Sequence, residues 1–451
     1  MLHKLEELIR ARRQLYLDRL FRLLRQPSIS TQNIGMRECA QLVQELLSDC
    51  GIHNRLYETA GHPIIYGEWV HPDNQTTILI YGHYDVQPPE PLEHWHSDPF
   101  EPVIRDGRIY ARGAGDNKGQ FVASVLAIRT YLDACGKLPV NVKLLIEGEE
   151  EMGSPHLAEF VHRHRELLHA DLVYTGDGSS HESGAQSIVL GVRGALFVEL
   201  VAEGAQWDNH SGNAGNIVPN PVWRLIELLH TLRSGDRVTI EGFYDGIQPP
   251  TAAEIAAIRD IPYDLEAIRR KSGYAELDMD SDTYHHKLMF EPTLNVCGLF
   301  SGYGGEGGKS IIPARATARI DIRLVAGQEP DHVYETLARH VQRYAPDVRL
   351  QRRGSVPPSR TSADHPAVQA VAEALERSTG RKPVILPSLG GTLPDYIWTQ
   401  LLQVPSIIVP YANYDQNNHA PDENIQLDSF FGGIRSTCAV LEQLSERNGA
   451  I

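Results

Sequence analysis

Val140-Asn141-Val142-Lys143-Leu144-Leu145-Ile146-Glu147-Gly148-Glu149-Glu150-Glu151-Met152-Gly153 is the stretch that decides the fold. Val140–Ile146 is a short apolar run, the pattern of a strand buried on both faces of a sheet. It passes directly into a cluster of glutamates between two glycines. Carboxylates crowded at the end of a buried strand repel one another, and a folded domain tolerates them when a cation stands between them. Two more apolar runs lead into the same chemistry. Thr77–Tyr81 enters Gly82-His83-Tyr84-Asp85, and Leu172–Tyr174 enters Thr175-Gly176-Asp177. A fourth, Ser406–Val409, precedes Asn418-His419-Ala420-Pro421-Asp422-Glu423. A fifth loop, Ala111-Arg112-Gly113-Ala114-Gly115-Asp116-Asn117-Lys118-Gly119, stands just ahead of a helical pattern.

Helical patterns over Gly119–Leu132 and Pro155–Leu168 separate these runs. Strands alternating with helices predict an α/β unit with a mostly parallel sheet flanked by helices. In such sheets ligands bind at the carboxyl ends of the strands, where the five loops lie. The N-terminal Leu5, Leu8, Ile9, Leu15, Leu20 and Leu24 recur at helical intervals. Near Gly191 the texture changes. Phe197–Val201 and Ala316–Leu324 read as strands of an open sheet, and Pro221–Leu232 and Val333–Tyr344 as helices. After the turn-rich Gly354–Ser359 the α/β texture returns, with a helix over Val368–Leu375. The expectation is a discontinuous α/β domain, residues 1–190 and 356–451, interrupted by an inserted α+β domain, residues 191–355.

The composition narrows the function. The chain has 451 residues, 41% hydrophobic and 22% charged, which is ordinary for two or three globular units. A formal net charge of −16 opposes non-specific binding to nucleic acid. No apolar run approaches the roughly 20 residues of a membrane span. Met1–Arg13 lacks the apolar centre of a secretory signal. The five cysteines are odd in number and form no C-x-x-C pair. Buried free thiols in a cytoplasmic protein are the expectation.

A lone histidine at a strand end is ordinarily a satisfied polar residue, and a glutamate run is ordinarily a solvated loop. Here all five loops would have to be innocuous together, and glycines crowd four of them, as where backbone packs close to a ligand. Mixed imidazole and carboxylate ligands suit zinc, with manganese or cobalt as the other choices. Two such ions joined by a carboxylate make a hydrolytic site.

Four segments in order carry a resemblance: Gly82–Pro88, Trp95 through Asp98-Pro99-Phe100-Glu101-Pro102, Arg112–Gly119, and Glu147–Ser154. They resemble the co-catalytic zinc peptidases of the carnosinase, aminoacylase and carboxypeptidase G group, which also holds acetylornithine and succinyl-diaminopimelate deacylases. The resemblance covers nearly the whole chain. It implies that His83 and Asp177 bind one metal, Glu151 and His419 the other, and that Asp116 bridges both, with a cis peptide after it. It implies that Asp85 orients His83 and that Glu150 is the general base. In the inserted domain, Asp208-Asn209-His210-Ser211-Gly212 is similar to the family's histidine motif. The resemblance makes this a dimerisation or lid domain, whose His210 reaches the partner subunit's site. Arg323 would hold the substrate carboxylate, with Ser310 and Thr392 as further contacts. The family often has Gly-Gly soon after the histidine motif; this chain has Gly215-Asn216.

The reading is therefore a homodimeric dinuclear metallopeptidase cleaving dipeptides or related small peptides with a free carboxylate. An N-acyl-amino-acid deacylase or carboxypeptidase using the same site is the alternative, and a non-catalytic relative is the other class. That class usually loses a ligand or the base, and here each is present. Gly304–Ser310 imitates a phosphate loop, but Tyr303 stands where the first glycine belongs, so nucleotide binding is not expected. No G-x-S-x-G elbow marks a serine hydrolase.

Overall fold

Val142, Leu144, Leu145 and Ile146 are fully buried, as a strand covered on both faces requires. A computed structural model describes residues 2–447, and the run forms its strand Asn141–Glu147 within an eight-stranded sheet. The strand order is His53–Tyr57, Ile64–Trp69, Asn141–Glu147, Thr77–His83, Leu172–Thr175, Ser406–Ile408, Ser187–Val189, Val384–Leu386. The central four, Asn141–Glu147 through Ser406–Ile408, run parallel. The flanks are mixed: Ile64–Trp69 and His53–Tyr57 pair antiparallel, and Ser187–Val189 meets Ser406–Ile408 antiparallel. The sheet is therefore parallel where the loops gather and takes up antiparallel pairings on both sides of that centre.

Period-two alternation divides the core between the two faces. Ile78, Ile80, Leu144 and Ile146 pack with the N-terminal helices, Lys118–Cys135, Pro366–Thr379 and Leu427–Ser445. Leu79, Tyr81, Leu145 and Val173 pack on the opposite face with Leu157, Phe160, Ile397 and Trp398. Lys118–Cys135 is buried almost all round, which its continuous Phe121-Val122-Ala123-Ser124-Val125-Leu126-Ala127-Ile128 dictates. It stops at Gly136, which takes φ +76°, a left-handed cap that glycine adopts without strain. The helix expected over Pro155–Leu168 is shorter, Leu157–Arg163.

Gly194–Glu203, Arg315–Leu324, Thr293–Ser301 and Arg349–Val356 build a second, four-stranded sheet with antiparallel pairing throughout. Helices Pro221–Leu232 and Pro330–Tyr344 cover one face. Leu196, Leu200, Ile320 and Ile322 meet Leu225, Leu228 and Leu337 there. Asn220 accepts a hydrogen bond from the Val222 N–H, with Pro221 in the first turn, so the helix starts where both signals place it. Arg315, Arg319 and Arg323 alternate onto the face without helices.

Three short helices, Ala252–Arg259, Leu265–Ser272 and Ser281–Phe290, were not foreseen. They leave the smaller sheet and pack Ile258, Ile261, Met289 and Phe290 against Val384 at the edge of the larger one. Thr251 and Glu254 cap the first reciprocally, and Asp264 and Asp280 cap the other two. Cys39, Cys50 and Cys438 are buried thiols as expected, but Cys297 is exposed on the edge strand Thr293–Ser301. Among the described residues, no helix is long and apolar enough to cross a membrane.

Candidate metal centre

His83 closes the strand Thr77–His83, and Glu150 and Glu151 follow Asn141–Glu147 in a single turn of 3-10 helix. Asp177 follows Leu172–Thr175, Asp116 precedes the helix Lys118–Cys135, and His419 lies beyond Ser406–Ile408. The parallel centre of the sheet brings these ends together. His83 Nε2 stands 3.3 Å from one Asp116 oxygen and 3.7 Å from Asp177. His419 Nε2 stands 3.1 Å from the other Asp116 oxygen and 3.2 Å from Glu151. Two triads result, His83–Asp116–Asp177 and Asp116–Glu151–His419, each with its ligand atoms within 4.8 Å of one another. Asp116 belongs to both, and the peptide after it is cis.

The donor set fits cations. His83 Nε2 and Glu151 Oε1 are buried with no hydrogen-bond partner, and buried polar atoms ordinarily have one. The electrostatics agree. Burial and the charges of Asp177 and Asp116 push the Glu150 carboxyl well above its usual range, against the pull of His83. Burial, with Asp116 beside it, pushes Asp177 up to about 7. Hydrogen bonds donated to the Asp116 and Glu151 carboxylates raise His419 to about 10. Burial opposes ionisation of Asp116, yet His419 and His83 hold it below the carboxylate range. Protons would otherwise have to neutralise this cluster; divalent ions held by His83, Asp116, Asp177, Glu151 and His419 would replace them.

The three adjacent glutamates go to three destinations. Glu149 turns away, accepting the His62 N–H at 3.1 Å and meeting His156 Nδ1 at 2.7 Å. Gly61 makes that possible, since a Cβ there would lie 1.8 Å from Glu149 Oε1. Glu151 enters a triad, and Gln87 Nε2 donates to it at 2.9 Å. Glu150 lines the cavity 4.0 Å from His83 Nε2 without belonging to either triad. Asp85 orients this turn as well as His83. Its carboxylate lies 3.3 Å from His83 Nδ1 and accepts the Glu150 and Glu151 N–H groups at 3.2 and 3.1 Å.

One residue escaped the sequence reading. Glu423 is fully buried and accepts the N–H groups of Gly113, Gly115 and Asp116 at 3.1, 2.9 and 2.9 Å, and Arg112 at 2.7 Å. It ties the loop of His419 to the loop of Asp116. Its only signal was its place four residues after His419. Glu147, buried between Tyr81 Oη at 2.5 Å and Ser154 Oγ at 2.8 Å, is raised to about 7 by burial and braces the same strand end.

The cavity above the triads holds about 370 Å³, and Asp116, Glu150, Asp177, Thr392, Tyr396 and His419 line it. Arg323 donates to Thr392 Oγ1 at 2.9 Å, so the smaller sheet touches the cavity wall. His210 and Ser310 lie together instead in the loops of the smaller unit. His210 pairs with Ile311, and the Ser211 N–H donates to Ser310 O at 3.1 Å. His210 is exposed, and neither residue lines the cavity of its own chain. Chemically, the cavity offers two cation sites joined by one carboxylate, with a free carboxylate beside them. That is an arrangement for moving water's proton while a carbonyl is polarised.

The description Peptidase family M20/M25/M40 matches residues 79–443. The Cys-Gly metallodipeptidase dug1 of Schizosaccharomyces pombe is 27% identical, over 98% of this chain and 98% of the relative. The Beta-Ala-His dipeptidase of Homo sapiens is 28% identical, over 85% of this chain and 78% of the relative. Among solved structures, the M20 family metallo-carboxypeptidase Sso-CP2 from Sulfolobus solfataricus superposes with a TM-score of 0.87. It is 38% identical and covers 96% of this chain and 99% of its own.

Proposed function

The chain belongs to peptidase family M20/M25/M40, and we propose that it is a dinuclear metal-dependent dipeptidase. It cleaves the amide bond next to a free carboxylate. The observation that carries this reading is the pair of triads sharing Asp116, with Glu150 beside them and in neither. His83 and Asp177 would hold one ion, Glu151 and His419 the other, and Asp116 both. Zinc is the first choice, manganese and cobalt the others. When bound, the ions lower the pKa of water and polarise the scissile carbonyl. Glu150 takes the proton of the attacking water at its carboxylate and delivers it to the leaving amine. Asp85 keeps His83 and the Glu150–Glu151 turn in place. Arg323 and Thr392 hold the substrate carboxylate, for which a guanidinium fork is suited.

We divide the chain into a catalytic unit, 1–190 and 356–451, and an inserted dimerisation or lid unit, 191–355. The bare edge strand Thr293–Ser301 exposes Val296, Leu299 and Phe300, and helix Pro221–Leu232 exposes Trp223 and Ile226. Apolar groups on a strand paired along one edge only, and on a helix of the same unit, favour a second copy of the chain as the cover. In that dimer His210, with Ser310 beside it, completes the partner's site by steadying the oxyanion of the tetrahedral intermediate. A cytoplasmic location is part of the reading. Cys39, Cys50, Cys297 and Cys438 are free thiols, as that compartment permits.

The likeness to Sso-CP2 favours a second reading, a carboxypeptidase acting on longer peptides at the same centre. One experiment separates these readings from a deacylase: metal analysis of the purified protein, with turnover of dipeptides, N-blocked peptides and N-acetyl amino acids. The dipeptidase reading expects about two divalent ions per chain and the highest kcat/KM on unblocked dipeptides. Faster turnover of N-acetyl amino acids than of every dipeptide overturns it.

A further inference from the structure

A second cavity, of about 510 Å³, adjoins the metal cavity. The two share two stretches of chain. Asp177 and Gly178 line the metal cavity, and Ser179 and Ser180 line the second. Thr392 and Leu393 line the first, and Leu389 and Gly390 the second. The far wall is the unforeseen helical excursion. Its Ile261, Ile268, Leu288 and Met289, with Leu386 of the larger sheet, give an apolar lining. Tyr263, Tyr284 and His285 add rings that meet edge-on or tilted, with centroids 5.2–5.8 Å apart. Burial pushes the imidazoles of His181 and His285 below their usual range, so both are neutral at neutral pH. The lining also includes the Ser187 hydroxyl, 1% exposed and without a hydrogen-bond partner. The near wall is preset: the Arg193 N–H donates to Leu389 O at 3.1 Å, and its guanidinium donates to Gly390 O at 3.2 Å.

We propose that this cavity receives the side chain of the substrate's C-terminal residue and selects a bulky aromatic one, tyrosine foremost. The inference rests on the dipeptidase reading and its assignment of Asp177 and Thr392. A substrate whose scissile carbonyl lies at the Asp177 centre and whose carboxylate lies at Thr392 and Arg323 has its C-terminal α-carbon between them. The side chain on that carbon therefore leaves between the 177–180 and 389–393 segments, which bound the second cavity. The volume lies within the range of about 300–1,000 Å³ typical of ligand sites. Glycine would leave such a cavity without an occupant. Apolar walls and aromatic edges favour a ring. Of the charged groups lining the cavity, Glu182 and Asp264 outweigh Lys271 and disfavour an acidic side chain, and the buried Ser187 hydroxyl offers a partner to a phenol.

The test is kcat/KM of the metal-loaded protein on Ala-Tyr, Ala-Phe and Ala-Gly, for the wild type, Ile268→Trp and Ser187→Ala. Ile268 sits on a helix with no buried residue, so the added ring enters the cavity without displacing core. The wild type is expected to favour Ala-Tyr over Ala-Gly at least tenfold, the scale on which an apolar pocket discriminates. Ile268→Trp should cut that ratio at least tenfold, through a higher KM for Ala-Tyr. Ser187→Ala should lower the preference for Ala-Tyr over Ala-Phe about threefold and leave Ala-Phe over Ala-Gly in place. Thermal melting verifies that each variant is folded, and Ser187→Ala reads the pocket even if the tryptophan variant is not. Equal rates on Ala-Tyr and Ala-Gly, or ratios unmoved in the folded variants, overturn the pocket. If no dipeptide is cleaved but N-blocked peptides are, the dipeptidase reading fails. The same ratios on N-benzyloxycarbonyl-Ala-Tyr and N-benzyloxycarbonyl-Ala-Gly then decide the pocket separately.

Discussion

In the eight-stranded sheet Ile78 and Ile80 face one layer of helices while Leu79 and Tyr81 face another. In the four-stranded sheet Ile320 and Ile322 face helices, but Arg319, Asp321 and Arg323 face none. Both sheets alternate with period two, and they differ in how many faces are covered. A sheet covered twice has little room along its central strands for charge, so its His and carboxylates collect mainly at the strand ends, close together and buried. A sheet covered once lays its charges along an open face, where water screens them. The same residue types thus become strongly coupled clusters in one region and weakly coupled ion pairs in the other.

The sharpest way to break this contrast is at the strand end itself. Glu150→Ala should lower kcat by more than 10²-fold while metal content stays unchanged, because the proposed base stands beside the triads and in neither. Metal loss, or retained turnover, would show that Glu150 and Glu151 have exchanged roles. Glu423→Ala comes next. It leaves the Arg112 guanidinium, 1% exposed, without its carboxylate partner. Breaking a buried pair costs about 3–5 kcal/mol, so a large drop in Tm with weakened metal binding is expected, measured by melting and by titration with zinc. A Tm within a degree of wild type would mean the loops of Asp116 and His419 are held by something else.

Chelation sharpens the contrast through pH. Asp177 and Glu147 have folded pKa values raised from 3.8 and 4.5 to about 7. A raised acid binds more protons when folded, so its stabilisation is complete below the unfolded pKa and is lost as pH rises through the folded one. His419, raised from 6.5 to about 10, acts in the same direction at higher pH. The metal-free protein should therefore lose stability from pH 5 to pH 8. The loaded protein should lose less, because ions stand in for protons at Asp177 and His419. Melting curves across that range test the sign; a metal-free Tm that climbs with pH would overturn it.

The smallest effect belongs to the open region. The Arg224 Nε meets both Asp347 oxygens at 2.9 Å on the surface of the smaller unit. Asp347→Asn should change stability by about 0.2–1 kcal/mol, less with added salt. A cost comparable to that of Glu423→Ala would erase the distinction between the two regions.

Much of this was legible because buried strands are written as continuous apolar runs, and the charges that end them stand out. The parallel centre and the five loops followed from that pattern alone. Which of Glu149, Glu150 and Glu151 does what came only with the family resemblance, since spacing along an irregular turn fixes no direction. The three helices of 252–290 stayed hidden although Thr251-x-x-Glu254 is a start signal. They are short, and their apolar faces are completed by Val384, more than ninety residues on from the last of them. The edge strand Thr293–Ser301 was missed because it has no second neighbour to demand a buried pattern. The second cavity lies between segments distant in sequence, and no local pattern encodes it.

Glu423 and Asp116 are 307 residues apart. At about 5–20 residues per second of synthesis, Asp116 waits roughly 15–60 s for the carboxylate that fixes its loop and the imidazole that completes the second triad. During that interval the ribosome holds a half-built, strongly acidic surface with one triad assembled and the other not. The bracing of the Asp116 loop thus waits for the far segment: it is not complete until residue 423 has emerged and docked.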